Sequence, residues 1–345
     1  MEPNKTFYDA DYKRTCASIG WALVLFLVIF NVLNVLSGLV SDGLTDLMAY
    51  KWHYTLTETL NMAAYLASFL IPAFFLRWRL KRRHILTPPA YSLGKTSTAS
   101  LLLIPSAIGV SIAASYVNSI AMSFFNVAEA YDSLVGFDGM YEDYQIVLLY
   151  VTTALVPAFC EEFLFRGAIL ANLAPYGKHG AVIISSILFG LMHQNPYQII
   201  YTTAAGIVLG MAYVKTGSIW LPTVMHFINN AYSVTNQVIY ANLEPTLANS
   251  ILVVGQLLMV AAGIISLVFY LKIERKKAAH RFEEGFFGKD IELDSRYAEK
   301  PISDGYATKG FFRASMILYI VFAVFSMIAL LGMLIIMSVD FPGAI

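Results

Sequence analysis

Residues 17–40 read ASIGWALVLFLVIFNVLNVLSGLV, a mostly apolar run that contains no Asp, Glu, Lys or Arg. A helix needs about 20 mostly apolar residues to cross the hydrocarbon of a bilayer. This run therefore predicts a transmembrane helix near the start of the chain. Eight further segments of similar character, one of them short, complete a predicted set: 56–76, 100–125, 145–172, 181–194, 198–214, 219–236, 250–272 and 312–337.

The composition of the whole chain agrees with this prediction. Of its 345 residues, 58% are hydrophobic and only 13% are charged, whereas soluble domains carry about 25% charged residues. The formal net charge is zero, so the charge balance does not indicate a nucleic-acid partner. The sequence therefore predicts an all-α, polytopic membrane helical bundle with about eight to nine transmembrane helices.

Charges in the loops predict how the helices are oriented. The stretches 77–84 and 272–277 are rich in Lys and Arg, which concentrate on the cytoplasmic side of membranes. The loop 126–144 carries acidic residues and no Lys or Arg, as an outside loop can. The full set of spans with a cytoplasmic N-terminus satisfies all three observations. It also makes the polar stretch 273–311 a cytosolic loop.

Charged side chains inside predicted spans are rare, because burying them in hydrocarbon is costly. Glu161, Glu162 and Arg166 nevertheless lie within 145–172. Glu162 and Arg166 are spaced i, i+4, which predicts an ion pair on one helix face. Glu161 points about 100° away from Glu162 and is left for another role, such as a general base. Pro157, one turn earlier, is expected to open the backbone there.

Two histidines and an asparagine lie in the next predicted helices. His193 ends the short segment 181–194, while His226 and Asn230 share a face of 219–236. Either histidine alone can be a hydrogen-bonded residue between helices. Together with Glu161 they can activate a water and stabilise an oxyanion, which suits amide hydrolysis. The same side chains can bind a metal ion, although the HExxH zinc signature is absent.

These residues form three motifs that resemble a known family. The order EExxxR, FxxxH and HxxxN is similar to that of the CPBP family, which includes the type II CAAX prenyl proteases and the bacterial Abi proteins. The resemblance covers roughly residues 145–236. It implies a catalytic core there, between N-terminal transmembrane helices in 1–144 and C-terminal ones in 237–345. The motif residues are Glu161, Glu162, Arg166, Phe189, His193, His226 and Asn230.

The resemblance also implies a role for each of these side chains. Glu161 would activate the attacking water, and His193 would help to hold it. His226 and Asn230 would form the oxyanion hole. Glu162 is placed with this catalytic set, and together with Arg166 it would order the site.

The implied function is that of an intramembrane endopeptidase of CAAX-protease type in the plasma membrane of a bacterium. Its substrate would be a protein or peptide presented from the lipid bilayer. Its cofactor is left open, as none or a divalent metal such as zinc. Two other hypotheses stay open: a non-catalytic membrane adaptor or bacteriocin-immunity protein with the same fold, and a transporter with a Glu161–His193 proton relay. The transporter is disfavoured, because the sequence shows no internal symmetry.

Overall fold

A computed structural model of the protein describes residues 5–81, 97–135, 140–283 and 310–340. Within these ranges the chain is helical and forms no strand. The α-helices are α1 (Lys5–Leu44), α2 (Tyr50–Lys81), α3 (Leu103–Ser123), α4 (Ala128–Val135), α5 (Asp143–Leu149), α6 (Val156–Leu164), α7 (Ala171–Leu173), α8 (Lys178–Met192), α9 (Ile199–Thr216), α10 (Trp220–Asn242), α11 (Pro245–Glu283) and α12 (Ala314–Asp340).

Every segment predicted to span or enter the membrane falls on helical structure, so the predicted fold class is confirmed. Seven stretches are long and apolar enough to cross a bilayer: Ala10–Leu47, Tyr50–Leu80, Thr98–Ser123, Asp143–Tyr176, Ile199–Thr216, Pro245–Lys277 and Ala314–Ser338. The other two predicted segments are α8, which is short, and α10, which is long but carries several polar side chains. The protein is therefore an integral membrane protein built as a bundle of helices.

Two predicted loops differ from the structure. The segment 273–311 is predicted to be a cytosolic loop that can include a short amphipathic piece, but α11 continues to Glu283 before the chain leaves the described ranges. Lys, Arg, Glu and Ala favour helix strongly, and they make up most of residues 272–283. The acidic loop 126–144 contains the short helix α4. Residues 284–309 of the first loop and 136–139 of the second lie outside the described residues.

The contacts between helices divide the described bundle into three groups. α1 packs against α2 and α12, while α3 packs against α9 and α11. Between these groups, α6 contacts α2 and α10, and α8 packs along α9. The glycines of a GxxxG pattern on α9 make this last contact close, since a Cβ at Gly206 would lie 3.1 Å from the Cβ of Ser186. The motif residues therefore belong to the central helices.

Candidate active site

The helix that carries both glutamates is irregular on each side of them. α6 lies between two π-helical segments, Tyr150–Leu155 and Phe165–Leu170. A π-helical turn shifts the faces of the helix before and after it, because its hydrogen bonds reach back five residues instead of four. Such segments are frequent at functional sites. Here they set the directions in which Glu161 and Glu162 point.

Pro157 lies in the first turn of α6, which follows directly after the π-helical segment that contains Thr153. The opening of the backbone that this proline predicts stays a prediction. Nδ2 of Asn230 on α10 donates to the carbonyl of Thr153 at 3.3 Å. This bond ties α10 to the helix that carries the glutamates.

Glu162 and Arg166 form the buried ion pair that their spacing predicts. Nη1 of Arg166 lies 2.6 Å from Oε1 of Glu162, and the two side chains are 1% and 0% exposed. Nη2 donates to the carbonyl of Gly206 at 3.0 Å. The guanidinium also lies over the ring of Phe189, 4.7 Å from its centre. One cation thus links the glutamate helix to both α8 and α9.

His226 stands between the two glutamates. Its Nδ1 lies 2.9 Å from Oε1 of Glu162, within hydrogen-bond distance. Its Nε2 lies 3.7 Å from Oε2 of Glu161, which is too long for a direct hydrogen bond. That Oε2 atom is buried and has no hydrogen-bond partner within the described part of the chain. A water molecule beside these two atoms can contact both.

The other oxygen of Glu161 is engaged from a helix that the motifs do not include. The hydroxyl of Tyr65 on α2 donates a hydrogen bond to Oε1 of Glu161. The two oxygens of this carboxylate are therefore inequivalent, since one accepts from tyrosine and the other has no partner among the described residues.

His193 reaches the site because α8 is short. The helix has 15 residues, or about 22 Å at 1.5 Å per residue, which is less than the ~30 Å of a hydrocarbon core. Nδ1 of His193 lies 2.9 Å from the carbonyl of Phe189. A carbonyl can only accept, so Nδ1 carries the proton, and Nε2 of the neutral ring is left as an acceptor.

The turn that follows His193 is held by an amide from α3. Gln194 has a positive φ of 50°, which reverses the chain after α8. Nδ2 of Asn118 donates to the carbonyl of Pro196 at 3.0 Å, and its Oδ1 accepts from the N–H of Ile200 at 3.1 Å. Both bonds fix the start of α9 relative to α3. The position of His193 therefore depends on α3, which lies outside the pair α8 and α9.

These side chains surround one cavity of about 60 Å³, room for a few water molecules. Four predicted site residues lie in its wall: Glu161, His193, His226 and Asn230. The other two, Glu162 and Arg166, lie behind that wall and contact it through His226 and Phe189. Glu161 and His193, from different helices, therefore meet at one cavity.

Five polar residues of this site are not part of any motif. Four of them line the cavity, Ser111, Tyr201, Thr202 and Asn229, and Tyr65 contacts Glu161 from α2. Asn229 is adjacent in sequence to the motif residue Asn230, and this position could have indicated that it belongs to the site. Nothing in the sequence marks Ser111 or Tyr65, because single Ser and Tyr residues are common in membrane helices. Both come from helices that precede the motif region.

A bound metal ion would take several of these side chains as ligands. No group of three or more His, Cys, Asp and Glu residues in the described ranges is arranged to hold a metal ion. A catalytic zinc usually takes three protein ligands. Tyr65 holds one oxygen of Glu161, and Nδ1 of each histidine is engaged with Glu162 or a backbone carbonyl. These contacts leave Oε2 of Glu161 and Nε2 of each histidine unused, but by the criterion of three ligands the described residues do not form a metal site.

Comparisons with known proteins find similarity over part of the chain. The family model for "Type II CAAX prenyl endopeptidase Rce1-like" matches residues 143–232. The curated "Putative membrane peptidase YdiL" of Bacillus subtilis (strain 168) is 30% identical over 95 residues, which are 27% of this chain and 38% of that protein. The matched region thus spans well under half of the curated relative. No solved structure matches the chain. The similarity to the CPBP family and its type II CAAX prenyl proteases, which three motifs indicate, is thereby confirmed for residues 143–232.

Proposed function

We propose that this protein is an intramembrane endopeptidase of CAAX-protease type. It hydrolyses a peptide bond of a membrane-associated protein or peptide, with a water activated by Glu161. The observation that carries the proposal is the cavity among the membrane helices, where the unpartnered Oε2 of Glu161 faces His226 beside His193 and Asn230. A carboxylate oxygen without a partner in a water-sized cavity is placed as a general base requires.

In the proposed reaction, a water lies between Oε2 of Glu161 and Nε2 of His193. Glu161 removes one proton from the water, and the resulting hydroxide attacks the carbonyl carbon of the scissile bond. The C–N bond then breaks, and the proton held by Glu161 passes to the leaving amine. The products are a free carboxyl group and a free amine, so one water is consumed for each bond cut.

His226 and Asn230 are assigned to the oxyanion that forms in this step. Asn230 has two amide N–H donors, of which one serves the carbonyl of Thr153 and one remains. A protonated His226 keeps its Nδ1–H on Glu162 and offers its Nε2–H to the oxyanion. Preorganised donors of this kind lower the barrier most in a site shielded from water.

Glu162 and Arg166 are assigned to positioning. Two carboxylates and one guanidinium leave one negative charge in a buried cluster. His226, which lies between the carboxylates, balances that charge when it is protonated. The cluster is then neutral overall, which limits the cost of burying it. In this way Glu162 holds the imidazole, and Arg166 holds Glu162.

The substrate class is proposed from the family description. A CAAX prenyl endopeptidase cuts near a prenylated C-terminus, and a prenyl chain would bring such a peptide into the bilayer beside the bundle. We place the protein in the plasma membrane of a bacterium, which the Bacillus relative supports.

The test is cleavage of C-terminal peptides by the purified protein in detergent. The peptides include farnesylated and unmodified sequences, and the assay is run beside Glu161→Ala with and without a chelator. We expect cleavage by the intact protein, retention with chelator, and a loss of roughly 10²–10⁴-fold in the variant. Loss of cleavage with the chelator would overturn the metal-free reaction.

The same variant separates a protease from an adaptor in cells. An adaptor with this fold keeps its phenotype when Glu161 is replaced by Ala, whereas a protease loses it. A retained phenotype, together with no cleavage of any peptide by the intact protein, would replace the proposed function with the adaptor.

A further inference from the structure

Tyr65 reaches the candidate site from outside the region that matches a known family. It lies on α2, 96 positions before Glu161 in the chain, and its hydroxyl donates to Oε1 of Glu161. The family match begins only at residue 143. No motif, comparison or role discussed above accounts for this contact.

Aromatic packing holds the tyrosine ring in place. The ring of Tyr65 lies 4.6 Å from that of Phe69 and 6.5 Å from that of Phe30, centre to centre. Phe26 packs against both phenylalanines, at 4.8 Å from Phe69 and 5.5 Å from Phe30. Phe26 and Phe69 are each only 1% exposed. Neighbouring rings from α1 and α2 therefore set the position of the hydroxyl.

The hydrogen bond decides which oxygen of Glu161 is available. With Oε1 held by Tyr65, Oε2 is the atom without a partner, and it lies 3.7 Å from Nε2 of His226. If the carboxylate were free to rotate, this gap would close into a direct Glu161–His226 ion pair. The base would then be engaged with the imidazole instead of the water.

We propose that Tyr65 is a positioning residue that holds the Glu161 carboxylate apart from His226 and leaves Oε2 to take the proton from water. This inference rests on the proposed function and deepens it. It extends the site to α2, so that the helices before residue 143 take part in building the reacting group.

The test compares Tyr65→Phe with the wild type, using the C-terminal peptide that the wild type cleaves fastest. We expect kcat to fall roughly 10- to 100-fold, the range for losing a hydrogen bond to a charged group. KM should stay within about twofold, because Tyr65 does not line the cavity. A kcat within about twofold of wild type, or a loss confined to KM, would overturn the proposal.

Tyr176→Phe is the matched control. The hydroxyl of Tyr176 also donates to a carboxylate, Oδ2 of Asp11, at 2.7 Å and buried. Tyr176 does not line the cavity. Both variants therefore lose a tyrosine–carboxylate bond, and only Tyr65→Phe should lose kcat. An equal loss of kcat in both variants would assign the effect to stability and reject positioning.

Chemical rescue gives a measurement that would not change if Tyr65 had a purely structural role. Tyr65→Ala leaves a space that phenol and toluene both fit, but only phenol carries a hydroxyl. We expect phenol to restore kcat at least about fivefold more than toluene does. Equal rescue by the two compounds would overturn the proposal. Cleavage by the wild type is measured in the same experiment. If the proposed function is wrong, the wild type does not cleave. If only the role of Tyr65 is wrong, the wild type cleaves and the variants behave differently from the expectation.

Discussion

Half of the apolar stretch of α9 is buried inside the protein, whereas only 6% of that of α11 and 11% of that of α12 are buried. The central helices also carry the charged and amide side chains of the site. α11 and α12 have apolar residues on almost every side, as helices largely surrounded by lipid do. The comparison shows that polar groups enter this membrane protein where other helices can satisfy them, and that each outer helix packs against the bundle along only part of its surface.

The largest effect on stability should come from opening the central ion pair. Replacing Arg166 by Met leaves Glu162 buried without its cation, and removing one partner of a buried pair costs about 3–5 kcal/mol. We expect Arg166→Met to lower the free energy of unfolding by that amount. Thermal or SDS unfolding in detergent, followed by circular dichroism, measures the change.

The matched control is an ion pair near the surface. Nζ of Lys215 lies 3.3 Å from Oε2 of Glu274, with Lys215 52% exposed. Exposed pairs contribute about 0.2–1 kcal/mol, so Lys215→Met should change stability by no more than that. Equal losses in the two variants would contradict the distinction between centre and periphery.

The next largest effect should come from Asn118. Replacing it by Ala leaves the carbonyl of Pro196 and the N–H of Ile200 without their partner, at about 1–3 kcal/mol for each group. The loosened turn should also displace His193 and lower kcat. Unfolding and peptide cleavage are measured on the same preparation. Full stability in Asn118→Ala would show that other groups satisfy this turn.

A smaller loss is expected where α11 meets the bundle. A Cβ at Gly263 would lie 2.7 Å from the Cα of Gly109 and 2.8 Å from the carbonyl of Pro105. Gly263→Leu should therefore cost about 1–3 kcal/mol through overpacking. Gly255→Leu on the same helix is the control, because nothing lies within 4 Å of its added Cβ. A similar loss in both variants would show that the close contact is unimportant.

The smallest effect is expected on the lipid-facing side of α11. Leu258 is 64% exposed, and lipid tails are as apolar as leucine. Leu258→Ala should change the free energy of unfolding by less than about 0.5 kcal/mol. A loss above 1 kcal/mol, read from the same unfolding curves, would show that this face is covered by protein.

Local patterns were sufficient to predict the helices and part of the site. Apolar length places the spans, and the i, i+4 spacing of Glu162 and Arg166 predicts their ion pair, which the structure contains. The sequence contains no comparable signal for contacts between residues that are far apart in the chain. Asn118 meets its partner 78 positions away, and Tyr65 acts across a similar distance in sequence. Only the packing of helices decides which polar residues meet.

Several predictions remain as they were made. The orientation of the helices rests on loop charges, some of which lie in 82–84 and 136–139, outside the described ranges. The division into 1–144, 145–236 and 237–345 rests on the motifs. The roles of the site residues rest on their geometry and on the family resemblance, and the variants described above test them.

Glu161 and Glu162 are neighbours in the chain, yet one faces the cavity and the other is locked to Arg166. Mutation at the first codon would therefore remove the proposed reacting group while the ion pair that joins the central helices stays intact. Mutation at the second codon removes the ion pair with Arg166 that joins the central helices. Over evolutionary time, such a gene can lose its chemistry in one step and still encode a folded membrane protein. Inactive copies with this fold are then expected to keep the second glutamate and the arginine long after the first glutamate has drifted.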